Sequence, residues 1–66
     1  MNILVNDVSK ELPENASLQQ AMALLALQTE GAAVAVNREI IHPQGWAEFI
    51  LNENDELVVF KLVAGG

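Results

Sequence analysis

One helix-forming segment lies in a chain whose other apolar runs are short and strand-like, and this arrangement constrains the fold most. Ser17 is a good N-cap residue, and Gln20 follows it at the spacing of a capping box. Apolar residues then recur at helical spacing, at Leu18, Ala21, Met22 and Leu25. Gly31 is suited to stop the helix, because glycine takes the left-handed C-terminal conformation without strain. The sequence therefore predicts one main helix that ends near Gly31.

A β-hairpin is predicted before the helix. Residues 3–5 are apolar, and Asn6 and Asp7 behind them tolerate the left-handed conformations of a tight turn. Residues 8–12 form the return strand, and Pro13 ends it because proline cannot donate a hydrogen bond to a neighbouring strand.

Three further extended pieces are predicted after the helix. Residues 32–36 are small and β-branched, residues 37–39 form a turn, and residues 40–41 start a second strand. A short helical turn, tucked against the core, is expected around Trp46, Phe49 and Ile50. A polar turn at residues 52–55 leads into residues 57–63, the longest strand candidate, which is nearly all apolar.

A hairpin, a helix and further strands, in that order, are typical of the α+β class and of the β-grasp, or ubiquitin-like, arrangement. We expect a mixed sheet of four to five strands with one main helix and a short helical turn, and one helix covers only one face of a sheet. With 66 residues and no cysteine, the chain holds one domain stabilised by its apolar core. We assign residues 1–64 to this domain and residues 65–66 to a flexible tail.

The charge balance argues against several kinds of partner. Nine Asp and Glu residues against three Lys and Arg give a net charge of −6, which repels nucleic-acid phosphates and anionic membranes. The acidity serves solubility or, as an alternative, docking into a basic groove of a partner. No signal peptide or membrane-spanning run is found, so a cytoplasmic location is expected. The single histidine, His42, makes a metal site unexpected.

The end of the chain carries the chemistry. Ala64, Gly65 and Gly66 follow the last strand as a bare tail. Without a Cβ, the glycine backbone can enter a narrow channel and approach a reactive group closely. A terminal carboxylate becomes an electrophile once an adenylyl group from ATP is attached to it. A frayed terminus or a cloning scar are the alternatives for a terminal glycine pair.

The sequence resembles the ThiS family, the sulfur carriers of thiamin thiazole biosynthesis, over essentially its whole length. The family typically shows a Val-Asn turn, a proline with a tryptophan three residues on, an aspartate before the last strand and a final Gly-Gly. These features correspond here to Val36-Asn37, Pro43 and Trp46, Asp55, and Gly65-Gly66. The chain departs from the family at Asn54, where glycine is usual but asparagine can adopt the same turn geometry, and at Gln44, where a basic residue is frequent.

The resemblance implies a role as protein cosubstrate. A ThiF-like adenylating enzyme would use ATP to adenylate Gly66, a cysteine desulfurase system would supply sulfur for a thiocarboxylate, and thiazole synthase would take that sulfur. The chain itself would bind no cofactor. From the residues, we find no phosphate-binding loop, no paired nucleophile and base and no catalytic residue, so the chain is not expected to be an enzyme.

Other functions stay open at this point. A sulfur carrier for molybdopterin synthesis shares the fold and the Gly-Gly end, but it usually carries a Pro-Pro pair that residues 60–63 lack. A carrier for another sulfur-transfer pathway, a protein modifier that forms isopeptide bonds, and an interaction module with an inert tail are further alternatives.

The last strand also predicts a docking surface. Because side chains alternate across a strand, Val58, Phe60 and Leu62 share one face, and Leu57 and Val59 share the other with Lys61. One helix cannot cover both faces, and exposed apolar patches on small domains usually bind partners. Similarity to ubiquitin-like folds favours Val58, Phe60 and Leu62 as the exposed, partner-binding residues. Lys61, near the strand end, can carry its ammonium past the core edge into water.

Overall fold

The computed structural model describes residues 1–61, and within them one α-helix lies against a five-stranded mixed sheet, which confirms the predicted fold class. The elements in chain order are β1 (Asn2–Val5), β2 (Val8–Glu11), α1 (Leu18–Leu24), β3 (Ala32–Val36), β4 (Glu39–Ile40), a 3-10 turn (Pro43–Gly45) and β5 (Glu56–Lys61).

The strands are arranged in the order β2-β1-β5-β3-β4. β1 and β5 run parallel, with Leu4 opposite Glu56 and Val5 opposite Leu57, and the other neighbouring pairs are antiparallel. β5, the last strand within residues 1–61, therefore lies in the middle of the sheet, where it is paired on both sides.

Two tight turns connect the antiparallel pairs at the ends of this sheet. Asn6 and Asp7 have φ of 49° and 71°, which confirms the predicted left-handed turn, and Asn37 and Arg38 repeat this geometry with φ of 51° and 71°. This combination matches the right-handed twist of the flanking strands. The second turn is shorter than predicted, because Glu39 already pairs with Val36 in the sheet.

The start of α1 follows the prediction. The Ser17 hydroxyl accepts a hydrogen bond from the Gln20 backbone N–H at 3.1 Å, and the Gln20 side chain accepts one from the Ser17 N–H at 2.9 Å. This capping box satisfies two N–H groups that the first helical turn leaves without backbone partners.

The predicted end of the helix at Gly31 is wrong. α1 stops at Leu24, and Ala26 turns left-handed with φ of 53°. The Leu27 N–H donates to the Met22 carbonyl at 3.0 Å and the Ala26 N–H to the Ala23 carbonyl at 3.2 Å, the paired bonds of a Schellman motif. Alanine thus occupies the position that glycine usually holds, whereas Gly31, with φ of 72°, lies in the turn before β3.

The apolar core lies between α1 and one face of the sheet. Its largest fully buried side chains are Ile3, Leu18, Val34, Leu51 and Leu57. Trp46 packs against the edge of this core as predicted, and its indole N–H donates to the Ile41 carbonyl at 2.8 Å. The helical turn lies earlier than predicted, at Pro43–Gly45, and Ile50 is 47% exposed rather than tucked inside.

No helix within residues 1–61 is both long and apolar enough to cross a membrane.

Candidate functional site

β5 presents its two faces as the alternation predicts. Leu57 is fully buried and Val59 packs partly against the core, whereas Val58 and Phe60 are 41% and 39% exposed. By alternation Lys61 is on the same face of β5 as the buried Leu57, yet it is exposed. This agrees with the prediction that a lysine near the strand end reaches past the core edge into water. The predicted orientation of Val58 and Phe60 is therefore confirmed, and their role in binding a partner stays a prediction.

Neighbouring strands extend the exposed face beyond β5. Val58 lies opposite Ala35 and Phe60 opposite Ala33 on β3, and Ala35 in turn lies opposite Ile40 on β4. Directly opposed residues share a face of the sheet. Leu4 joins this face from β1. We name the residues Leu4, Ala33, Ile40, Val58 and Phe60 the outer patch.

Leu4 and Ile40 were missed by sequence reasoning. Leu4 is 36% exposed and Ile40 is 56% exposed, although each is next to an apolar residue that lies in the core or packs against it. For Leu4 the alternation along the strand predicts a face opposite to that of Ile3 and Val5, but in an all-apolar run it does not show which face is buried; in the structure Ile3 and Val5 are buried and Leu4 points outward. For Ile40 nothing in the sequence distinguished it from Ile41, which packs against the core.

Acidic side chains border the outer patch. Glu56 lies opposite Leu4, and Glu11 lies opposite Asn2 on the same face, while Lys10 lies opposite the buried Ile3 and so belongs to the helix side. Within the described strands this face therefore combines an apolar centre with negative charge at its border. A protein surface with an apolar centre and basic groups at its edge would complement it.

The polar turn before β5 is not uniformly exposed to solvent, because it contains one buried carboxylate. Asp55 is only 8% exposed, and its two carboxylate oxygens accept hydrogen bonds from the Asn37 side chain at 3.0 Å and from the Asn52 N–H at 2.8 Å. The Asn37 side-chain oxygen accepts from the Glu56 N–H at 3.0 Å. These bonds tie the β3–β4 turn to the first residue of β5, which gives a physical reason for an Asn at the turn and an Asp before the strand.

The predicted tail lies outside the described residues. Leu62, Ala64, Gly65 and Gly66 all follow Lys61, the last residue of β5 that the structure describes. Among residues 1–61 there is no group of three or more His, Cys, Asp or Glu side chains that could hold a metal ion. His42 is exposed and directly precedes the 3-10 turn.

A model of the ThiS family matches residues 2–66. The chain belongs to the ThiS family. The sulfur carrier protein ThiS of Escherichia coli (strain K12) is 30% identical over 66 residues, and the match covers all of both chains. The resemblance inferred from the sequence is thereby confirmed.

Solved structures agree on the fold. A crystal structure of the thiamine biosynthesis protein ThiS from Geobacter metallireducens has a TM-score of 0.89 at 20% identity and covers all of both chains. A solution NMR structure of a thiamine biosynthesis protein from the same organism has a TM-score of 0.75 at 20% identity, covering all of this chain and 88% of that one. At this identity the likeness concerns the fold alone.

Proposed function

We propose that this chain is a sulfur carrier of thiamin biosynthesis, whose Gly66 carboxylate is adenylated and then converted to a thiocarboxylate that donates sulfur to the thiazole ring. The single observation that carries the proposal is the ThiS family match through residues 2–66, which includes Gly65 and Gly66. The end-to-end match to the E. coli sulfur carrier protein supports it.

The chemistry takes place at one carboxylate. Its oxygen attacks the α-phosphorus of ATP and displaces pyrophosphate, which leaves an acyl-adenylate on Gly66. A persulfide sulfur from a cysteine desulfurase system then attacks the acyl carbon and displaces AMP. Cleavage of the sulfur–sulfur bond by a thiol leaves the thiocarboxylate. Thiazole synthase then takes the sulfur from this thiocarboxylate. In this scheme ATP is bound by the ThiF-like enzyme, and the carrier supplies a substrate group rather than a catalytic one.

The outer patch is the surface on which we propose these partners dock. Val58 and Phe60 lie on the strand that leads to Gly66, so a partner that grips this face also holds the segment that delivers the carboxylate. We expect Leu62 to continue the same surface. Glu11 and Glu56 at the border favour a partner with basic side chains around an apolar centre.

The test is an intact-mass measurement. The chain is incubated with a ThiF-like enzyme, ATP, a cysteine desulfurase and its substrate, and we expect a product in which one sulfur replaces one oxygen. The matched control carries one extra residue after Gly66. It should stay unmodified, because its terminal carboxylate no longer fits the narrow channel expected in the adenylating enzyme. Sulfur transfer to the extended chain without prior trimming would contradict the assignment of Gly66.

A second arm separates the pathways. The thiocarboxylate form should support thiazole formation by thiazole synthase, and it should not support sulfur insertion by molybdopterin synthase. The reverse result would assign the chain to the molybdopterin pathway, and attachment of Gly66 to lysines of other proteins would identify a modifier.

A further inference from the structure

The side chain of Asn6 contacts the backbone of β5 on both sides of one residue. Its Oδ1 accepts a hydrogen bond from the Val59 N–H at 3.1 Å, and its Nδ2 lies 3.5 Å from the Val59 carbonyl oxygen. Asn6 belongs to the β1–β2 turn, 53 residues away in sequence. Its φ of 49° explains a preference for Asn or Gly at this position, but a turn alone does not require a contact to β5.

This side-chain contact replaces the backbone hydrogen bond that β1 would make to β5 if the two strands stayed paired beyond Leu57. β1 pairs with β5 only as far as Val5 opposite Leu57, and the Asn6 N–H adds one more bond, to the Leu57 carbonyl at 2.9 Å. There the chain turns away into β2. In a continuing parallel pair the next backbone group of β1 would accept from the Val59 N–H. The carboxamide of Asn6, which carries one acceptor and one donor group, takes its place.

Val59 stands between the two docking residues that β5 contributes to the outer patch. Beyond Val59 no described residue of β1 lies beside β5, and the pairing with β3 continues alone, to Lys61 opposite Ala32. Asn6 is therefore the last described support of β5 on its β1 side before the segment that carries Gly66.

We propose that Asn6 is a positioning residue for carrier activation. By holding the Val59 peptide groups it fixes the backbone that presents Val58 and Phe60, on the strand that precedes Gly66. This inference rests on the proposed function, because it assumes that a partner binds the outer patch and receives Gly66. Without the contacts between Asn6 and Val59, the partner has to order this backbone each time it binds. The entropy cost of this ordering appears as weaker binding of the carrier.

Amide hydrogen exchange tests the contact between Asn6 and Val59 without any partner. Asn6→Gly keeps a residue that favours positive φ but removes the carboxamide, and we expect the Val59 amide to exchange about five- to tenfold faster. The Leu57 amide, inside the β1–β5 pairing, should change much less. Asp7→Gly, in the same turn with φ of 71°, is the matched control and should leave the Val59 amide unchanged. Unchanged exchange of Val59 in Asn6→Gly would overturn the proposal.

Steady-state kinetics of adenylation by a ThiF-like enzyme tests whether the carrier binds more weakly. The release of pyrophosphate is the measured signal. For Asn6→Gly we expect the KM for the carrier to rise roughly five- to tenfold, with kcat within about twofold, because the ordering cost is met on binding. Asn6→Asp keeps the acceptor for the Val59 N–H and should restore part of the loss, and Asp7→Gly should behave as the parent chain.

The two proposals fail in different ways. If the parent chain is not adenylated, the proposed function is wrong, and the exchange measurement still decides whether Asn6 holds β5. If the parent chain is adenylated and Asn6→Gly has the same KM, the positioning role is wrong. A variant that only lowers the melting temperature, with KM unchanged at a temperature where the chain is folded, would reduce Asn6 to a structural turn residue.

Discussion

Phe60→Ala separates the two roles that a large aromatic residue on β5 could have. Phe60 lies on the outer patch opposite Ala33 and keeps 39% of its surface exposed in the isolated chain. Full burial of such a side chain is worth about 1.5–3 kcal/mol, and only about three-fifths of this one is covered, so we expect a stability loss of about 1–2 kcal/mol. No closed cavity is left, because water can occupy the vacated space, so the extra cavity cost of a core deletion does not arise.

Partner binding should suffer more than folding. An aromatic anchor at the centre of an interface typically contributes 2 kcal/mol or more, so the affinity for a ThiF-like enzyme should fall roughly 30-fold or more. We would measure chemical unfolding of Phe60→Ala and titrate its binding to the enzyme in the same buffer. Leu24→Ala is the matched control, since Leu24 is 62% exposed on α1, and it should change neither quantity appreciably.

Two results would refute this reasoning. A stability loss of about 3–5 kcal/mol would show that Phe60 behaves as a core residue. Unchanged affinity in a folded Phe60→Ala chain would show that the partner binds a surface other than the outer patch.

Three further predictions concern single positions. Ala26→Gly should stabilise the chain by about 0.5–1 kcal/mol, because glycine avoids the strain of alanine at φ of 53°, and thermal unfolding should show a higher midpoint. Asp55→Asn should cost about 1–3 kcal/mol in chemical unfolding, because an amide cannot accept from both the Asn37 side chain and the Asn52 N–H; an unchanged midpoint would contradict the role of this cluster. Gly65→Val should leave the unfolding curve unchanged and block adenylation by a ThiF-like enzyme, and normal adenylation would count against a narrow channel.

The order and type of the elements could be predicted because local patterns determine them. The Ser17–Gln20 capping box, the Asn6–Asp7 turn and the alternation along β5 each depend on neighbouring residues, and each has the predicted geometry. The end of α1 could not be predicted in this way. Gly31 was the better local signal, yet the helix stops at Leu24 and accepts a left-handed Ala26.

The tertiary contacts that shape the site were beyond local patterns. Asp55 stands in a polar run typical of a solvated turn, but it is buried because Asn37, 18 residues away, comes to lie beside it. Ile40 is exposed because Ala35 opposite it belongs to the face without the helix. The pairing of β1 with β5, which brings Asn6 to Val59, joins residues more than 50 positions apart and has no signal in either segment alone.

The position of β5 would give the chemistry proposed at Gly66 a firm structural support. β3 pairs along the strand from Leu57 to Lys61, β1 pairs with its first part, and the Asp55–Asn37 contacts hold its entry. The strand that leads to Gly66 thus has strand neighbours on both sides, as β1 and β3 also do, and in addition receives side-chain hydrogen bonds at its start and its middle. Substitutions that disturb carrier activation without touching a partner are therefore expected among these anchors, at Asn6, Asn37 and Asp55, rather than among the exposed residues of α1.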